Sequence, residues 1–299
     1  MEARAQAILL AAGRGERMRP LTDNCPKPLL QVRGKPLMQW PLEAMLRGRL
    51  RGVVVNTAWL GEQIEARFSN RFTDSPFDSF TKEVGDQVTN NVREKLSNQE
   101  RFTANHDTGV TRHLRISYSH EGRDFGGALE TAGGIARALP LLDDVFWVAA
   151  GDVFAPAFEV TQQSVADFNA SGKLAHLWLV PNPEHNPHGD FGLSADGLAL
   201  NLPKGSVEPQ FTYSTIGLFR HALFAPPFCD IPPGNPQGIK AALAPLLRAA
   251  MDRQLVSAGV YKGRWADIGT PQRLLEINQS ENGIAPAIKT PETAQGLKT

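Results

Sequence analysis

The sequence is poor in the features that mark secreted, membrane-bound or nucleic-acid-binding proteins. Its two cysteines, Cys25 and Cys229, are too few for a disulfide framework and favour a reduced, cytoplasmic compartment. No apolar run approaches the roughly 20 residues of a membrane span, and the run at 7–12 is too short for a signal-peptide core. The 31 basic and 31 acidic residues cancel, so we expect no general attraction to nucleic acid or to a membrane surface. Any binding of anions must therefore be local.

Two common nucleotide-binding motifs are also missing. No Gly-x-x-x-x-Gly-Lys-Ser/Thr occurs, which excludes a Walker A loop. Residues 9–20, LLAAGRGERMRP, contain Gly13 and Gly15 but have Met18 where a dinucleotide fingerprint needs a third glycine. The second predicted strand ends at Asn56 and Thr57, where an acidic ribose partner would be expected. Both mismatches argue against NAD, and the seven histidines show no metal-ligand spacing.

Short apolar segments that alternate with helical patterns make up most of the chain. This alternation predicts an α/β fold with βαβ units and a mostly parallel sheet. The predicted strands are 7–11, 52–56, 114–119, 145–150, 174–180 and 211–219, and the predicted helices are 36–47, 61–72, 239–253 and 272–280. Pro36 is expected in the first turn of its helix, and Ile64, Phe68 and Phe72 are expected on one helical face.

Two segments do not follow this alternation. The polar stretch at about 75–113 looks inserted into a single domain that covers 1–281. Apolar residues recur within it at positions 80, 84, 88, 92 and 96, which leaves open an amphipathic helix or a mobile excursion. The tail at 282–299 has few large apolar residues and is predicted to be disordered. The sequence indicates no oligomeric state.

Positive charge is concentrated after the first predicted strand. Glycines there let the backbone approach a phosphate closely. Arg14, Arg17 and Arg19 follow, and then Lys27 between two prolines. This cluster favours a triphosphate over a dinucleotide, although any one of these arginines could equally be a solvated loop residue.

Two aspartates stand at the ends of apolar segments. Asp152 follows the strand at 145–150 through a single glycine, which puts it at the sheet edge where ligands bind in α/β folds. Asp267 ends a shorter apolar segment. Taken alone, each is more often a helix cap or a turn residue.

The stretch LLAAGRGERMRPLTDNCPKPLLQVRGKPLMQW, residues 9–40, resembles the amino-terminal signature of the sugar-1-phosphate nucleotidyltransferases. LETAGGI at 129–135, AAGDVF at 149–154 and WADIGTPQRL at 265–274 agree in the same order. The resemblance implies a GT-A-like, Rossmann-like mixed sheet flanked by helices. It also implies Mg2+-dependent transfer of a nucleotidyl group from a nucleoside triphosphate to a sugar-1-phosphate, with release of pyrophosphate.

The same resemblance implies roles for individual residues. Arg17, with Arg14 as a second candidate, would bind the β and γ phosphates, Lys27 would stabilise charge at the transferring phosphoryl group, and Asp152 and Asp267 would hold Mg2+. The phosphate-lining glycines are Gly13 and Gly15, and the nucleobase set is Leu10, Ala12, Glu130, Gly133 and Gly134, the last two with a helix start at Thr131 as the alternative. The sugar set is Asn182, Asp190, Ser214 with Thr215, and Lys204, which could equally be a turn lysine.

The expected substrates rest on smaller differences. Guanylyltransferases of this family carry Glu-Pro-Leu-Gly-Thr where this chain has GALET at 127–131, which favours uracil and hence UTP. VVVNTAWLGEQIEARF at 53–68 and the WADIGT ending resemble the subgroup that acts on N-acetylmuramate α-1-phosphate in cell-wall recycling. A mannose- or heptose-1-phosphate guanylyltransferase stays open, as does an inactive nucleotide-sugar sensor. The presence of Arg17, Lys27 and both aspartates argues for an enzyme.

Overall fold

The structure is a computed structural model that describes residues 4–73, 112–203 and 205–279. The predicted tail and nearly all of the predicted insertion lie outside these residues. The strands are β1 (Ala5–Leu10), β2 (Gln31–Val32), β3 (Lys35–Pro36), β4 (Gly52–Thr57), β5 (Arg71–Thr73), β6 (His113–His120), β7 (Leu142–Ala150), β8 (Val153–Phe154), β9 (Ala175–Val180), β10 (Phe191–Leu193), β11 (Ala199–Leu200), β12 (Gln210–Arg220), β13 (Val256–Val260) and β14 (Ala266–Asp267). The helices are α1 (Gln39–Arg47), α2 (Gly61–Phe68), α3 (Glu121–Phe125), α4 (Glu130–Ala138), α5 (Gln162–Ser171), α6 (Leu243–Met251) and α7 (Pro271–Gln279).

Four parallel strands form the centre of a mixed sheet, in the order β7-β1-β4-β6. Antiparallel strands join on both sides, with β5 beside β6 and β12 beside β7. Strands β9 and β10 both pair with β12, and β13 and β11 extend the sheet from them. The predicted α/β fold, a mixed sheet flanked by helices, is confirmed.

The central strands are apolar throughout because both of their faces are covered. Ile8 and Val54 belong to a core cluster that includes α4 and α6. Leu9 and Val55 point to the other face, where they pack in a cluster with α1 and α2. Burial on both faces requires apolar side chains at successive positions, which explains the continuous runs in the sequence.

All six predicted strands are present, whereas three predicted helices have different limits. The helix expected from residue 36 begins at Gln39. Pro36 instead pairs with Gln31 in the β2–β3 hairpin, whose turn is made by Arg33 and Gly34 at φ +52° and +81°. Two positive φ values suit a tight hairpin turn, so the chain reverses here before the helix starts.

The helix expected at 61–72 ends at Phe68, because Ser69 has a φ of +53° and turns the chain. Phe72 therefore lies in β5, although its ring still packs against Phe68 at a centroid distance of 6.0 Å. The helix expected at 239–253 begins only at Leu243. The residues before it are held extended, since Ala241 exchanges backbone hydrogen bonds with the start of α4. No helix in the described ranges is long and apolar enough to cross a membrane.

Strand β12 continues past the end of β7. Its last pairing with β7 joins Ile216 to Ala149, so residues 210–215 extend beyond the carboxyl end of the parallel strands. A register shift between Tyr213 and Gly217 bends this extension. The extension, called the overhang below, pairs with β10 through Phe211 and Phe191.

Candidate functional site

A cavity of about 630 Å³ lies at the carboxyl ends of the parallel strands. One side, the strand-end wall, is formed by residues in or just after β1, β4, β6 and β7, together with Lys27: Leu10, Ala11, Ala12, Gly13, Asn56, Glu121 and Asp152. The other side, the overhang wall, comes from the overhang, β10 and α6: Asp190, Phe191, Tyr213, Thr215, Leu243, Leu247 and Arg248. Glu130 and Thr131, at the start of α4, also line the cavity.

Lys27 and Asp152 meet on the strand-end wall. Lys27 lies in a short 3-10 turn after Pro26 and is only 9% exposed. Its Nζ donates to Oδ2 of Asp152, which follows β7. The ion pair therefore joins the loop after β1 to the end of the neighbouring strand, and it leaves a cation and an anion facing the cavity.

Asp267 is brought next to Asp152 by a second, two-stranded ladder. In that ladder β14 pairs with β8, and the backbone N–H of Ile268 donates to the carbonyl of Asp152 at 3.0 Å. Oδ1 of Asp267 accepts from Arg273 Nη1 at 2.6 Å and lies 2.9 Å from Nε2 of His185. Both acids are thus neighbours, and each is paired with a cationic side chain.

The two aspartates form a partial donor set for a hard cation. The described residues contain no group of three or more His, Cys, Asp or Glu side chains that could hold a metal ion. Mg2+ is commonly bound by one or two carboxylates together with substrate phosphates and water. Asp152 and Asp267 fit that kind of site, which substrate phosphates would complete.

A buried hydrogen-bond network lies beside the first residues after β1. Glu121 is completely buried, and its two oxygens accept from Asn56 Nδ2 at 2.6 Å and from the N–H of Leu129 at 2.7 Å. Asn56 Oδ1 in turn accepts from the N–H of Ala11 at 2.7 Å. Burial raises the pKa of Glu121 above its ordinary value, although both hydrogen bonds act in the opposite direction. The network fixes the start of the β1 loop relative to α4.

Gly134 makes room for this network. A Cβ at position 134 would lie 2.5 Å from Oε1 of Glu121 and 2.9 Å from Nδ2 of Asn56. No side chain fits there without displacing the pair. Gly134 was predicted to contact the nucleobase, but it is buried within α4 and supports the lining from behind.

Eight of the predicted site residues line the cavity, and they come from six separate parts of the chain. They are Leu10, Ala12, Gly13, Lys27, Glu130, Asp152, Asp190 and Thr215. Asp190 is held by its own hydrogen bonds, since Oδ2 accepts from the N–H of Tyr213 at 2.8 Å and Oδ1 from Asn186 Nδ2 at 3.3 Å. The structure thus brings about half of the predicted site residues to one cavity.

The predicted loop residues Arg14, Gly15 and Arg17 do not line the cavity. The guanidinium of Arg14 lies 3.7 Å above the Trp59 ring, and its Nη1 donates to the carbonyl of Thr22 at 2.8 Å. Gly15 has a φ of +68°, and a Cβ there would lie 3.1 Å from Thr22 Cγ2. Arg17 is exposed to solvent. The loop is therefore folded on itself and fastened to the segment after β4.

The other predicted residues that the structure describes, Asp267 among them, lie outside the cavity lining. Gly133 is buried in α4, where its N–H donates to the carbonyl of Ala241. Asn182 ties its own loop to the overhang by donating to the carbonyl of Gln210 at 2.9 Å. Ser214 is fully buried, and its hydroxyl donates to the carbonyl of Trp178 at 2.6 Å. Lys204 lies outside the described residues.

The register shift in β12 explains the position of Ser214. Ser214 fills the irregularity by accepting from the N–H of Ile216 at 3.2 Å. Of the two residues predicted here, only Thr215, at a φ of +61°, lines the cavity. Sequence alone does not locate such an irregularity, because it depends on how β12 is shared between its neighbouring strands.

The lining residues that were not among the predicted site residues include Asn56, Glu121, Tyr213 and Arg248. Glu121 follows the predicted strand at 114–119 through a single residue, as Asp152 follows the strand at 145–150, so the rule that found Asp152 would have found it. Arg248 interrupts the apolar helical pattern of α6 beside Leu247, which is a weaker signal. The hydroxyl of Tyr213 is buried and makes no hydrogen bond within the described part of the chain.

The sequence profile described as nucleotidyl transferase matches residues 6–208. The chain belongs to this nucleotidyl transferase family. The resemblance to sugar-1-phosphate nucleotidyltransferases is thereby confirmed. An N-acetylmuramate alpha-1-phosphate uridylyltransferase from Neisseria meningitidis is 39% identical over 283 residues, which cover 91% of this chain and 96% of the relative.

More distant relatives agree with this assignment. An enzyme of the same name from Caulobacter vibrioides is 26% identical over 90% of this chain and 93% of its own. Among solved structures, a UTP-bound UGPase from Acinetobacter baumannii superimposes with a TM-score of 0.63 at 15% identity, covering 92% of each chain. At that identity the superposition shows the shared fold.

Proposed function

We propose that this nucleotidyl transferase makes UDP-N-acetylmuramate from UTP and N-acetylmuramate α-1-phosphate. The observation that carries the proposal is the 39% identity to the Neisseria meningitidis enzyme over nearly the whole of both chains. The cavity supports it, because one wall is suited to phosphates and the other carries polar groups for a sugar. Cys25 and Cys229 are free thiols, in keeping with a cytoplasmic role in recycling cell-wall sugars.

In the proposed reaction, a phosphate oxygen of the sugar-1-phosphate attacks the α-phosphorus of UTP. A new P–O bond forms in line with the bond to the β-phosphate, which breaks to release pyrophosphate. The attacking oxygen is already ionised, so the reaction needs no general base. It needs two polyanions to be held in line and their repulsion to be reduced.

The chain's own residues meet these needs at the strand-end wall. The backbone at Gly13 presents an open approach, since nothing lies within 4 Å of the space a Cβ would occupy. Lys27 is buried at the same edge and would exchange its contact with Asp152 for the transferring phosphoryl group. Arg17, exposed on the same loop, would reach the β and γ phosphates. The network of Asn56 and Glu121 holds this edge in place.

Asp152 and Asp267 would hold the Mg2+ that this function implies. When bound, Mg2+ supplies positive charge that reduces the repulsion between the reacting phosphates. The ion pairs of these aspartates with Lys27 and Arg273 orient both carboxylates in the free protein.

The test is an activity matrix of nucleotides against sugars. The purified protein is incubated with Mg2+, one of UTP, GTP, dTTP or CTP, and one of several sugar-1-phosphates, and pyrophosphate release is followed. We expect the highest kcat/KM with UTP and N-acetylmuramate α-1-phosphate. Preference for GTP with mannose- or heptose-1-phosphate would establish a guanylyltransferase instead. Absence of turnover with every pair, while nucleotide sugars bind, would establish a sensor.

Single substitutions test the two aspartates. Asp152→Asn and Asp267→Asn should each lower kcat by about a hundredfold or more, because each removes a charge at the reacting phosphates. Asp144→Asn is the matched control, since Asp144 lies at the opposite end of β7 in an exposed pair with Arg220. Full activity of either site variant would refute the assignment of that aspartate.

A further inference from the structure

Arg248 is a cation on the overhang wall that the reaction as derived above does not use. It lies in α6, next to Leu247, and both side chains line the cavity. The carboxylates that line the cavity are Glu121, Glu130, Asp152 and Asp190. Lys27 is neutralised by one of them, whereas Arg248 forms no ion pair with any carboxylate that the structure describes.

The guanidinium of Arg248 is held in place by neutral groups. Its Nη1 donates to Oδ1 of Asn201 at 2.7 Å, and its Nη2 donates to the backbone carbonyl of Asp190 at 3.1 Å. The guanidinium carbon lies 5.1 Å from the centre of the Phe191 ring. Asn201 is itself oriented, because its Nδ2 donates to Asp252 at 2.9 Å. The orientation of the guanidinium is thus fixed by neutral acceptors, and no carboxylate that the structure describes neutralises its charge.

A fixed and unneutralised guanidinium at a cavity wall favours an anionic ligand. Its planar set of N–H donors matches the two oxygens of a carboxylate or phosphate. The donors not used by Asn201 and Asp190 remain for such a ligand. The partial burial of Arg248 strengthens the attraction, since solvent screens a half-buried charge less than an exposed one.

The position of Arg248 indicates which anion it meets. Asp190, to which it is bonded, pairs with Phe211, and Phe211 lies five residues before Ile216 along β12. Five fully extended residues would span roughly 16 Å, and the register shift and the positive φ of Thr215 shorten that distance. Arg248 is therefore anchored at the outer part of the overhang, whereas Lys27 and Asp152 stand at the strand ends where the phosphates react. A sugar-1-phosphate bound between the two walls would direct its phosphate to the strand-end wall and the substituents of its ring to the overhang wall.

We propose that Arg248 binds a carboxylate carried by the sugar of the sugar-1-phosphate and so selects acidic sugars over neutral ones. The inference rests on the proposed function and extends it to the basis of sugar choice. N-acetylmuramate is N-acetylglucosamine with a lactyl ether, and that ether carries the carboxylate. Arg248 distinguishes these two sugars by the charge they carry and not by the ring they share.

The experiment compares sugars that differ in the carboxylate. Wild type and Arg248→Met are assayed with UTP and each of two pairs of sugar-1-phosphates, N-acetylmuramate against N-acetylglucosamine and glucuronate against glucose. Arg248→Met should lower kcat/KM for the acidic sugar that the wild type uses by about 10- to 100-fold, the usual effect of losing a hydrogen bond to a charged group. The neutral partner should change less than about threefold.

Two further variants separate binding from folding. Arg253→Met is the matched control, because Arg253 follows the same helix but is exposed and stacks on Phe228 away from the cavity. Arg248→Lys keeps the charge but loses the planar donor set, and should give a loss between wild type and Arg248→Met. Retained activity of Arg248→Met on neutral sugars shows that the variant is folded.

The outcomes distinguish this inference from the proposed function. Equal losses for acidic and neutral sugars would overturn the inference and make Arg248 a support for Asp190. An unchanged preference for the acidic sugar would also overturn it. If the wild type rejected N-acetylmuramate but used glucuronate in an Arg248-dependent way, the proposed substrate would fall and the inference would stand. A wild type that used only neutral sugars would contradict both.

Discussion

The strand-end wall and the overhang wall border the same cavity, but their charged groups are arranged differently. On the strand-end wall, four parallel strands end side by side, and Lys27 and Asp152 neutralise each other. The overhang wall consists of an antiparallel strand and a helix. Within the described residues, its Arg248 forms no ion pair and its Tyr213 hydroxyl makes no hydrogen bond. The first wall has the charges that phosphate transfer requires with any sugar. The second has hydrogen-bonding groups without partners among the described residues, and a particular sugar can bind to them.

The largest expected effect comes from Lys27. Lys27→Met should lower kcat by about 10²–10³-fold with every sugar, because the charge that stabilises the transferring phosphoryl group is lost. Lys35→Met is the matched control, since Lys35 also pairs with a carboxylate, that of Glu43, but does not line the cavity. Steady-state kinetics with two sugars measures the effect. A loss of activity with only one sugar would contradict the assignment of Lys27 to phosphate transfer and of sugar choice to the overhang wall.

The arginines of the loop after β1 come next. Arg17→Ala should lower kcat/KM by about 10- to 100-fold, as expected for a charged hydrogen bond to phosphate. Arg19→Ala should change it less than about twofold, because Arg19 forms exposed ion pairs with Glu16 and Asp23. Initial rates at varied UTP separate the two variants. Equal effects would show that the loop contributes charge without a specific contact.

The buried carboxylate of the strand-end wall should affect stability. Glu121→Leu leaves the donors of Asn56 and Leu129 unpaired, and should lower the free energy of unfolding by about 2–4 kcal/mol. Urea denaturation measures the change, with exposed Glu62→Leu as the control. A change below about 1 kcal/mol would show that the network adjusts without cost.

The pH dependence of stability tests the same residue. Because burial raises the pKa of Glu121 above 4.5, the folded protein holds this proton more tightly than the unfolded chain. The contribution to stability is complete below pH 4.5 and is lost as the pH rises through the raised pKa. In urea titrations, the free energy of unfolding of the wild type relative to Glu121→Gln should therefore fall as the pH rises from 4.5 through the raised pKa of Glu121. A rising or flat difference would contradict the direction of the shift.

The smallest effect is expected at Tyr213. Tyr213→Phe removes a buried hydroxyl without a partner in the described structure, so the free energy of unfolding should stay constant or rise by up to about 1 kcal/mol. Tyr118→Phe is the contrast, because the Tyr118 hydroxyl donates to the carbonyl of Ser69 at 2.6 Å and its loss should destabilise the protein. Thermal or urea unfolding compares them. Destabilisation by Tyr213→Phe would show that the Tyr213 hydroxyl forms a hydrogen bond within the protein.

Features that depend on neighbouring residues in the chain could be predicted from the sequence. The strand at 145–150 is apolar because both sheet faces are covered, and Asp152 follows it, so its place at the cavity edge followed from local pattern and parallel pairing. The family signature supplied Lys27 and Asp267, which local pattern alone left ambiguous. Glu121 also follows the end of a strand, so the rule that predicted Asp152 could have predicted Glu121 as well.

Features that depend on packing between distant elements were decided by the tertiary structure. Thr215 lines the cavity and Ser214 is buried because β12 is shared between β7 and β9 with a shift in register. Gly134 faces the buried carboxyl group of Glu121 and the amide of Asn56, and Arg14 faces the indole ring of Trp59. These contacts join residues that are distant in the sequence, so no local pattern predicts them. The sequence by itself determined the sheet, the family and the position of Asp152 at the strand ends, since these follow from periodicity and motif. Which side chains line the overhang wall, Arg248 among them, was decided by how α6 and the overhang pack, because burial and the loss of solvent arise only when the elements meet.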